Sequence, residues 1–127
     1  MIKISLIYAA ILGFIFVALS IRVIKGRFKS KVSLGDGGHA PLNVAIRTHA
    51  NFAEYVPLAL IMIMGVELMN YSANIVHALG IILVLARLSH VYGLAAKNSL
   101  SNFRPVGVIL TNLVLVSSAV LILIRSF

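Results

Sequence analysis

Cysteine and tryptophan are both absent from the sequence, and acidic residues number only 3. Without cysteine, the chain cannot form a disulfide, a thiol nucleophile or a cysteine-based metal site. Charged residues make up 11% of the 127 residues, against about 25% in an average soluble domain. Polar side chains are therefore too few to cover a water-facing surface, which excludes an ordinary soluble domain.

Apolar residues make up most of the remaining sequence. They account for 61% of the chain, and the mean hydropathy is +1.06. This composition predicts an integral membrane protein, and the length allows a single domain over residues 1–127. The net charge of +8 would suggest nucleic acid in a soluble protein. Because the basic residues are few and separated by apolar runs, we expect membrane lipids as partners and no nucleic acid.

The longest uncharged runs predict where the chain crosses the membrane. Residues 4–21 and 105–124 contain no charged side chain, and runs of this length span the hydrocarbon as α-helices. Two less uniform spans lie between them, separated by the polar turn Asn70–Ser72. The predicted fold class is all-α, a four-helix transmembrane bundle with spans at about residues 4–24, 42–69, 72–96 and 104–125.

The basic residues predict how the bundle is oriented. Six of them follow the first span or separate the last two: Lys25, Arg27, Lys29, Lys31, Lys97 and Arg104. The opposite end has only Lys3 and Arg125. The positive-inside rule then places the basic loops in the cytoplasm and both termini outside. The loop cations could instead serve as an anchor for anionic lipids, and this alternative stays open.

The two middle spans contain polar and ionisable residues that are rare inside membranes. They are Arg47, His49, Asn51, Glu54 and Glu67 in the second span, and His77, Arg87 and His90 in the third. A charged group near a helix centre costs about 2.5–3.5 kcal/mol unless it is paired or lines a wet cavity. On a helix, Arg47, Asn51 and Glu54 lie within about 40° of one another. Arg87 and His90 also share a face, and because consecutive spans are antiparallel, the two polar stripes are expected to meet on the basic-loop side.

Such a cluster suits a particular class of ligand. Desolvated guanidinium groups attract carboxylates and hold them in fork geometry. Glu54 could neutralise an arginine or bind an ammonium group, and Asn51 offers both a donor and an acceptor. A zwitterionic peptide with additional carboxylates fits this set, and apolar walls would admit a lipid-soluble co-substrate from the bilayer.

These residues also resemble the motifs of a known superfamily. The residues Arg47, His49, Asn51 and Glu54, followed by Tyr55-Val-Pro57, resemble the second-helix signature of the membrane-associated proteins in eicosanoid and glutathione metabolism (MAPEG). That superfamily includes the microsomal glutathione transferases and the microsomal prostaglandin E synthase. Arg87-Leu-Ser-His90 resembles its third-helix motif, while Arg104 and Arg22 occupy positions where members often have arginine. The resemblance covers essentially the whole chain.

The resemblance implies a homotrimer that binds glutathione as co-substrate between neighbouring subunits on the cytoplasmic side. The glutathione thiolate would attack a lipophilic electrophile or reduce a lipid peroxide. Arg104 would favour the thiolate and is the implied catalytic residue. The implied glutathione-binding residues are Arg22, Arg47, Asn51, Glu54, Arg87 and His90, with Asn51, Glu54 and His90 holding the tripeptide and Arg47 and Arg87 setting the charge framework.

The sequence also departs from the eukaryotic members. Ala50 replaces an arginine, Leu94 lies where those enzymes have a tyrosine, and Pro105 replaces a serine of the prostaglandin synthase. Tyr92 is about 200° away from Leu94 on the helix and cannot substitute for that tyrosine. Prostaglandin synthesis is therefore disfavoured. The pattern resembles the small bacterial branch of the superfamily, which favours a bacterial inner membrane.

Several residues have simpler structural explanations. Arg47 and Glu54 could form an ion pair within or between subunits. His49 is expected to face another helix or the lipid headgroups, and His77 and Glu67 to make structural contacts at the opposite side of the membrane. We expect no metal site, because no two histidines are four residues apart.

Two other functions remain as alternatives. One is a lipid-binding membrane scaffold without catalytic activity. The other is a small proton-coupled multidrug exporter, which is less favoured because such exporters have a glutamate in the first span and none is present here.

Overall fold

Four long helices make up most of the described structure. The computed structural model describes residues 1–95 and 102–127, and within them there is no strand. The helices are α1 (Ile4–Ser30), α2 (Ala40–Leu68), α3 (Ala73–Ala95) and α4 (Phe103–Ser126). Each is long and apolar enough to span a membrane. The predicted all-α fold with four spanning helices is therefore confirmed, while Lys97 and the predicted end of the third span at residue 96 lie outside the described residues.

Helix α1 continues beyond its predicted span. Its 27 residues end at Ser30, and at 1.5 Å per residue they extend about 40 Å, more than the roughly 30 Å of the hydrocarbon. Lys31 ends the helix in the left-handed conformation, and its N–H points back to the carbonyl groups of Arg27 and Phe28. The last turns of α1 therefore project beyond the apolar run into the basic region.

The connection from α1 to α2 is organised around Asp36. Its carboxylate accepts hydrogen bonds from the N–H of Gly38 at 2.9 Å and from the side chain of Asn43 at 2.6 Å. These bonds lower the pKa of Asp36, the bond from Gly38 most strongly. Gly37 and Gly38 both have positive φ angles, which glycine adopts without steric cost.

The helices pack in a fixed pattern of neighbours. Helix α1 packs on α2 and α3, and α4 packs on α3 and α2. Their shared core is almost entirely aliphatic, with Leu12, Phe52, Ala59, Ile63, Leu83 and Val114 among its buried members. Many large apolar side chains remain exposed on the outside, as expected for a surface that faces lipid or a second subunit.

Two glycines allow close approach between helices. A Cβ atom on Gly107 of α4 would lie 2.5 Å from the carbonyl oxygen of Ala86 and 2.7 Å from the Cβ of His90. A Cβ atom on Gly80 of α3 would lie 2.2 Å from the ring of Tyr8. Small residues at such contacts let transmembrane helices pack backbone to backbone. Gly107 thereby holds α4 directly against the part of α3 that contains His90.

Both chain termini lie at one end of the bundle, which we call the terminal end. There the Glu67 carboxylate accepts the N–H groups of Lys3, Ile4 and Ser5 at 2.8–2.9 Å, together with the Ser5 hydroxyl. Glu67 therefore supplies the cap and the negative charge that the start of α1 lacks in its own sequence. The structural role expected of Glu67 is confirmed.

Other polar groups at the terminal end are also paired within the chain. The Tyr8 hydroxyl lies 2.7 Å from Nδ1 of His77, which confirms the structural contact expected of that histidine. Arg125 donates to the carbonyl of Met69 at 2.8 Å and covers the ring of Tyr71. These contacts tie α1 to α3, and α4 to the turn between α2 and α3.

The opposite end, which we call the loop end, contains the α1–α2 connection and the start of α4. His49 of α2 confirms its expected interhelical contact, because its Nε2 lies 2.9 Å from the Ser20 hydroxyl and its ring stacks on Phe16. Ser20 is near the end of the uncharged run of α1. The helix rise between His49 and Glu67 is about 27 Å, close to the thickness of the hydrocarbon. These two residues therefore mark the boundaries of the apolar zone on α2.

Candidate functional site

An arginine is buried in the core just inside the loop-end boundary. Arg87 of α3 is 1% exposed, and its guanidinium contacts both neighbouring helices. One terminal nitrogen donates to Oδ1 of Asn51 on α2 at 2.6 Å and lies 3.4 Å from Nδ1 of His90. The other lies 3.5 Å from the hydroxyl of Thr111 on α4. The predicted meeting of the two polar stripes is confirmed for Asn51, Arg87 and His90.

Thr111 is a member of this cluster that the sequence did not reveal. Its hydroxyl donates to the carbonyl of Gly107 at 2.7 Å, so its oxygen lone pairs face the guanidinium of Arg87. From the sequence, a threonine in an apolar helix resembles an ordinary packing residue. Only the contact between α3 and α4 distinguishes it from the other hydroxyl residues of that helix.

The positive charge of Arg87 is stabilised without a carboxylate. Its guanidinium carbon lies 5.7 Å from the ring centre of Phe52 and 5.9 Å from that of Tyr55, within the range of cation–π attraction. The Nε atom of Arg87 has no hydrogen-bond partner among the described residues. A fixed cation therefore lies at membrane depth, where the low dielectric strengthens its attraction for anions.

Arg47 and Glu54 lie on the outer face of α2. Both are exposed on the single subunit, on the same helical stripe as Asn51. Within residues 1–95 and 102–127 the structure gives them no hydrogen bond or ion pair. An ion pair between Arg47 and Glu54 within one subunit, one of the alternatives from the sequence, is therefore wrong. The two residues are seven positions apart, which separates their Cα atoms by about 10 Å along the helix.

The exposed carboxylate of Glu54 is unusual in its depth. It lies five residues inside the boundary marked by His49, which is about 7–8 Å along α2. The other two acids, Asp36 and Glu67, are hydrogen-bonded within the chain. A lone carboxylate facing hydrocarbon is costly, which makes Glu54 a candidate for contact with a molecule outside the chain.

Arg104 lies at the start of α4, close to the buried cluster. A Cβ atom on Gly93 would be 2.3 Å from the backbone nitrogen of Arg104, and Gly93 is one turn beyond His90 on α3. The side chain of Arg104 is exposed. The charge of Arg104 is therefore exposed at the loop end, close to the part of α3 that contains His90.

Arg22 lies apart from the other predicted site residues in the single chain. It is half-buried and lines a cleft between the end of α1 and the start of α2, together with Leu42 and Ala45. Those two positions of α2 are about 160–220° around the helix from Arg47. Within one subunit, Arg22 therefore does not join the Asn51–Arg87 cluster.

The residues that depart from the eukaryotic pattern leave the cluster less polar. Ala50 and Leu94 are half-buried, and neither can donate a hydrogen bond from its side chain. Tyr92 is exposed and packs edge-on against Phe103, with ring centres 5.0 Å apart. The hydroxyl that other members place one turn after His90 is therefore not replaced by Tyr92.

Comparison with known proteins identifies the family of the chain. The MAPEG family model matches residues 5–124. The chain therefore belongs to the MAPEG family, and it is a multi-pass membrane protein of that family, whose members act in eicosanoid and glutathione metabolism.

Two curated relatives are similar to the chain. They are the Inner membrane protein YecN of Escherichia coli strain K12 and that of Escherichia coli O6:H1 strain CFT073. Each is 36% identical over 90 residues, which cover 71% of this chain and 69% of the relative. No solved structure matches the chain significantly.

Proposed function

We propose that the protein binds glutathione at the loop end, at a site completed by a neighbouring subunit, and transfers it to lipophilic electrophiles. The observation that carries this function is the unpartnered Glu54 carboxylate on the outer face of α2, one turn from Asn51, whose side chain binds the buried cation of Arg87. A zwitterionic ligand with carboxylates and an ammonium group can pair with both signs of charge at once.

The same carboxylate supports assembly into a homotrimer. Glu54 lies at a depth where contact with lipid is costly, and Leu58 and Ile61 continue its exposed stripe further into the membrane. A second copy packed against this stripe would cover the apolar residues and enclose Glu54. The closed trimeric ring that the MAPEG resemblance implies gives every subunit one such interface.

Within the site, the contacts of Asn51 suggest a division of roles. Its carboxamide oxygen accepts from Arg87, so the amide is oriented with its NH₂ group free to donate to a ligand. Arg87 and His90 are both buried and act as positioning residues for Asn51. Direct contacts with the tripeptide are assigned to Asn51, to Glu54 for the ammonium group, and to Arg47 for a carboxylate.

Arg104 is the residue we assign to activation of sulfur. Its exposed guanidinium favours the thiolate of bound glutathione, because adjacent positive charge stabilises the anion. In the transfer reaction, the thiol proton passes to water and a sulfur lone pair forms a bond to the electrophilic carbon. The leaving group departs with its bonding electron pair. The second substrate reaches this end from the bilayer.

The proposed location is the bacterial inner membrane, with the loop end in the cytoplasm and both termini outside. The name of the similar YecN proteins supports a location in the inner membrane. The basic residues of the α1–α2 connection support an orientation with the loop end in the cytoplasm. In that orientation the site opens to the cytosolic glutathione pool.

Calorimetric titration of the purified protein in detergent with glutathione tests the binding site. Glu54→Gln and Asn51→Ala are each expected to weaken binding about tenfold, because each removes one charge-assisted or oriented hydrogen bond. Asn74→Ala, a change of the same type at an exposed position near the terminal end, is the matched control. Equal affinities for all four proteins would contradict the site.

Turnover is tested separately from binding. With chlorodinitrobenzene as electrophile, Arg104→Ala is expected to reduce conjugation at saturating glutathione while the glutathione affinity changes little. Binding without conjugation in the wild-type protein would reject the transferase activity and leave a glutathione-binding protein.

A lipid-binding scaffold is the second candidate, and one observation favours it. An apolar groove of about 270 Å³ lies between α1 and α2, lined by residues that include Gly13, Phe16, Phe52 and Pro57. A fatty acyl chain bound there without glutathione-dependent turnover would support this function. Membership of the MAPEG family weighs against the multidrug exporter, and so does the absence of an acid from α1.

A further inference from the structure

The last turns of α1, which project beyond the apolar run, carry a cleft of their own. It has a volume of about 460 Å³, and its lining residues are Ile24, Arg27, Phe28, Lys31, Val32 and Ser33. Three of them lie three, four and seven positions after Ile24, so they share one face of the end of α1 with it. The cleft contains none of the residues that the MAPEG resemblance implies for glutathione, and it does not depend on the function proposed above.

The shape of this cleft is held by contacts between the end of α1 and the connection. The N–H of Val32 donates to the carbonyl of Arg27 at 3.1 Å, and the Arg27 guanidinium donates to the carbonyl of Gly35 at 2.8 Å. A Cβ atom on Gly37 would lie 2.6 Å from the side chain of Val32, so the connection packs closely on this residue. The cleft is therefore formed before any partner binds, which lowers the entropy cost of binding.

The apolar part of the cleft lies beyond the lipid headgroups. Phe28 is 80% exposed and Ile24 is 52% exposed. Phe28 lies eight residues beyond Ser20 at the hydrocarbon boundary, or about 12 Å along α1. The headgroup layer is only about 5–8 Å thick on each side of the membrane, and even a helix tilt of about 40° would leave Phe28 about 9 Å from the boundary. An exposed phenylalanine therefore faces water, where contact with a partner would cover it.

The polar part of the cleft is positively charged. Residues 22–31 contain five cations and no acid. Lys31 is exposed and has no hydrogen bond or ion pair with a described residue. Arg27 is bonded only to a backbone carbonyl, which does not neutralise its charge. The cleft therefore attracts an acidic group.

A second copy of this chain cannot supply that acidic group. The chain has 3 acids, and two of them, Asp36 and Glu67, are hydrogen-bonded within the chain. The third, Glu54, lies about 7–8 Å inside the hydrocarbon boundary, whereas Arg27 lies about 10 Å outside it. Copies that surround an axis normal to the membrane stand at the same depth. The carboxylates that fit this cleft therefore belong to a different molecule.

We propose that this cleft docks an acidic segment of a water-soluble partner protein. Carboxylates of the segment pair with Lys31 and with the remaining N–H groups of Arg27, and a large apolar side chain of the segment covers Phe28. Charge alone leaves the phenylalanine in water, and an apolar segment alone leaves the cations unpaired. In this role the end of α1 holds a soluble protein at the membrane surface.

Fluorescence anisotropy with two labelled peptides tests the cleft. One peptide contains six glutamates, a leucine and a phenylalanine, and in the other the two apolar residues are replaced by serine. The protein is reconstituted in nanodiscs of phosphatidylcholine, which leave the loop end open to water. The apolar peptide is expected to bind at least about tenfold more tightly than the serine peptide, because burying a large apolar side chain contributes at least the 1.4 kcal/mol or so that this ratio represents. Equal affinities for the two peptides, or no binding of either, would overturn the proposal.

Two substitutions at exposed positions separate the apolar and the charged contributions. Phe28→Ser is expected to weaken binding of the apolar peptide about tenfold, and Lys31→Gln about threefold, because an exposed ion pair contributes less. The matched controls are Phe127→Ser at the terminal end, where the ring is fully exposed, and Lys25→Gln, which removes a charge from α1 outside the cleft. Both controls are expected to stay within about twofold of the wild type. Equal losses in Lys25→Gln and Lys31→Gln would overturn the site in favour of diffuse attraction to the basic region.

Three further measurements exclude other occupants of the cleft. Native mass spectrometry is expected to show the same number of subunits for Phe28→Ser and wild type, and the same retention of phosphatidylglycerol. A loss of subunits would assign the cleft to contact between copies, and a loss of lipid would assign it to an anionic headgroup. The apolar peptide is also expected to stay bound at saturating glutathione. Displacement of the peptide by glutathione would place the cleft in the glutathione site and overturn the proposal.

Discussion

The two ends of the bundle treat their polar residues in opposite ways. At the terminal end, Glu67 and His77 are each hydrogen-bonded to a group of α1, and Arg125 is bonded to a backbone carbonyl. At the loop end, Glu54 and Arg22 have no such partner within the described residues. Polar groups at the first end complete the fold, whereas Glu54 and Arg22 at the second end, unlike the paired Asp36 and His49 there, are available to other molecules.

This difference is informative because both ends face the same energetic constraint. A polar group near hydrocarbon must be paired or hydrated. Pairing within the chain produces stability, whereas leaving a charge unpaired requires a partner from outside. The contrast predicts that substitutions at the terminal end lower stability with little effect on ligand binding. Substitutions of the exposed loop-end charges are expected to weaken ligand binding with little effect on stability.

The largest effect on stability is expected from Glu67→Ala. The substitution removes the acceptor for three N–H groups of α1 and for the Ser5 hydroxyl. We expect it to lower the free energy of unfolding by about 2–4 kcal/mol, the combined range for a lost helix cap and charged hydrogen bonds. Denaturant titration in mixed micelles measures this loss.

The same variant also tests whether the ends are independent. Glutathione affinity, measured under conditions where the Glu67→Ala protein is folded, is expected to stay within about twofold of the wild type, since 0.4 kcal/mol corresponds to that change. A tenfold loss of affinity would break the division between a structural end and a binding end.

Gly107→Ala is expected to have the next largest effect and to change both properties. The added methyl group would meet the Ala86 carbonyl at 2.5 Å and His90 at 2.7 Å, so α4 must move away from α3. Overpacking of this kind costs about 1–3 kcal/mol. Because Thr111 and His90 both contact Arg87, the orientation of Asn51 should change and glutathione should bind more weakly.

The control for this substitution is Gly13→Ala in α1. No atom lies within 4 Å of the Cβ position on Gly13, and alanine is the better helix former. Stability of Gly13→Ala is therefore expected to equal or exceed that of the wild type. Equal losses of stability in the two variants would show that the contact between α3 and α4 is not what makes Gly107→Ala costly.

Much of the fold could be predicted because the membrane imposes a simple pattern. Uncharged runs of spanning length must form helices, and their antiparallel order brings the start of α2 beside the end of α3. That reasoning predicted that the polar stripes of α2 and α3 meet, and the hydrogen bond between Asn51 and Arg87 confirms it. The capping of α1 by Glu67 was not predictable in detail, since it depends on how far each helix extends beyond the apolar zone.

The site was predicted less completely than the fold. Helical spacing identifies residues that share a stripe, such as Arg47 and Glu54, but not which of them a neighbouring helix covers. Thr111 was missed because a hydroxyl in an apolar helix has no distinctive spacing. The implied place of Arg22 among the glutathione residues stays a prediction, because the cleft that it lines between α1 and α2 belongs to one subunit and the implied site lies between two.

Glu54→Gln is expected to affect binding and leave stability nearly unchanged. The carboxylate makes no hydrogen bond or ion pair with the described residues of its own chain, so the free energy of unfolding of the subunit should change by less than about 0.5 kcal/mol. The expected tenfold loss of glutathione affinity corresponds to about 1.4 kcal/mol. A large loss of stability with unchanged glutathione binding would mean that Glu54 has a structural role like that of the polar groups at the terminal end.

The smallest effect is expected from acid, at the one carboxylate of the loop end that is satisfied within the chain. Hydrogen bonds from Gly38 and Asn43 lower the pKa of Asp36 below its usual 3.8. Since the folded pKa is the lower one, the stabilisation is complete at neutral pH and is lost as the pH falls through the folded value.

Amide exchange at Gly38 should therefore accelerate in this acid range beyond the intrinsic pH dependence. In Asp36→Asn that additional acceleration should be absent, because no carboxylate is left to titrate. An Asp36→Asn profile identical to that of the wild type would mean that this carboxylate does not order the connection, and the loop end would then lack the intramolecular pairing that distinguishes Asp36 from Glu54.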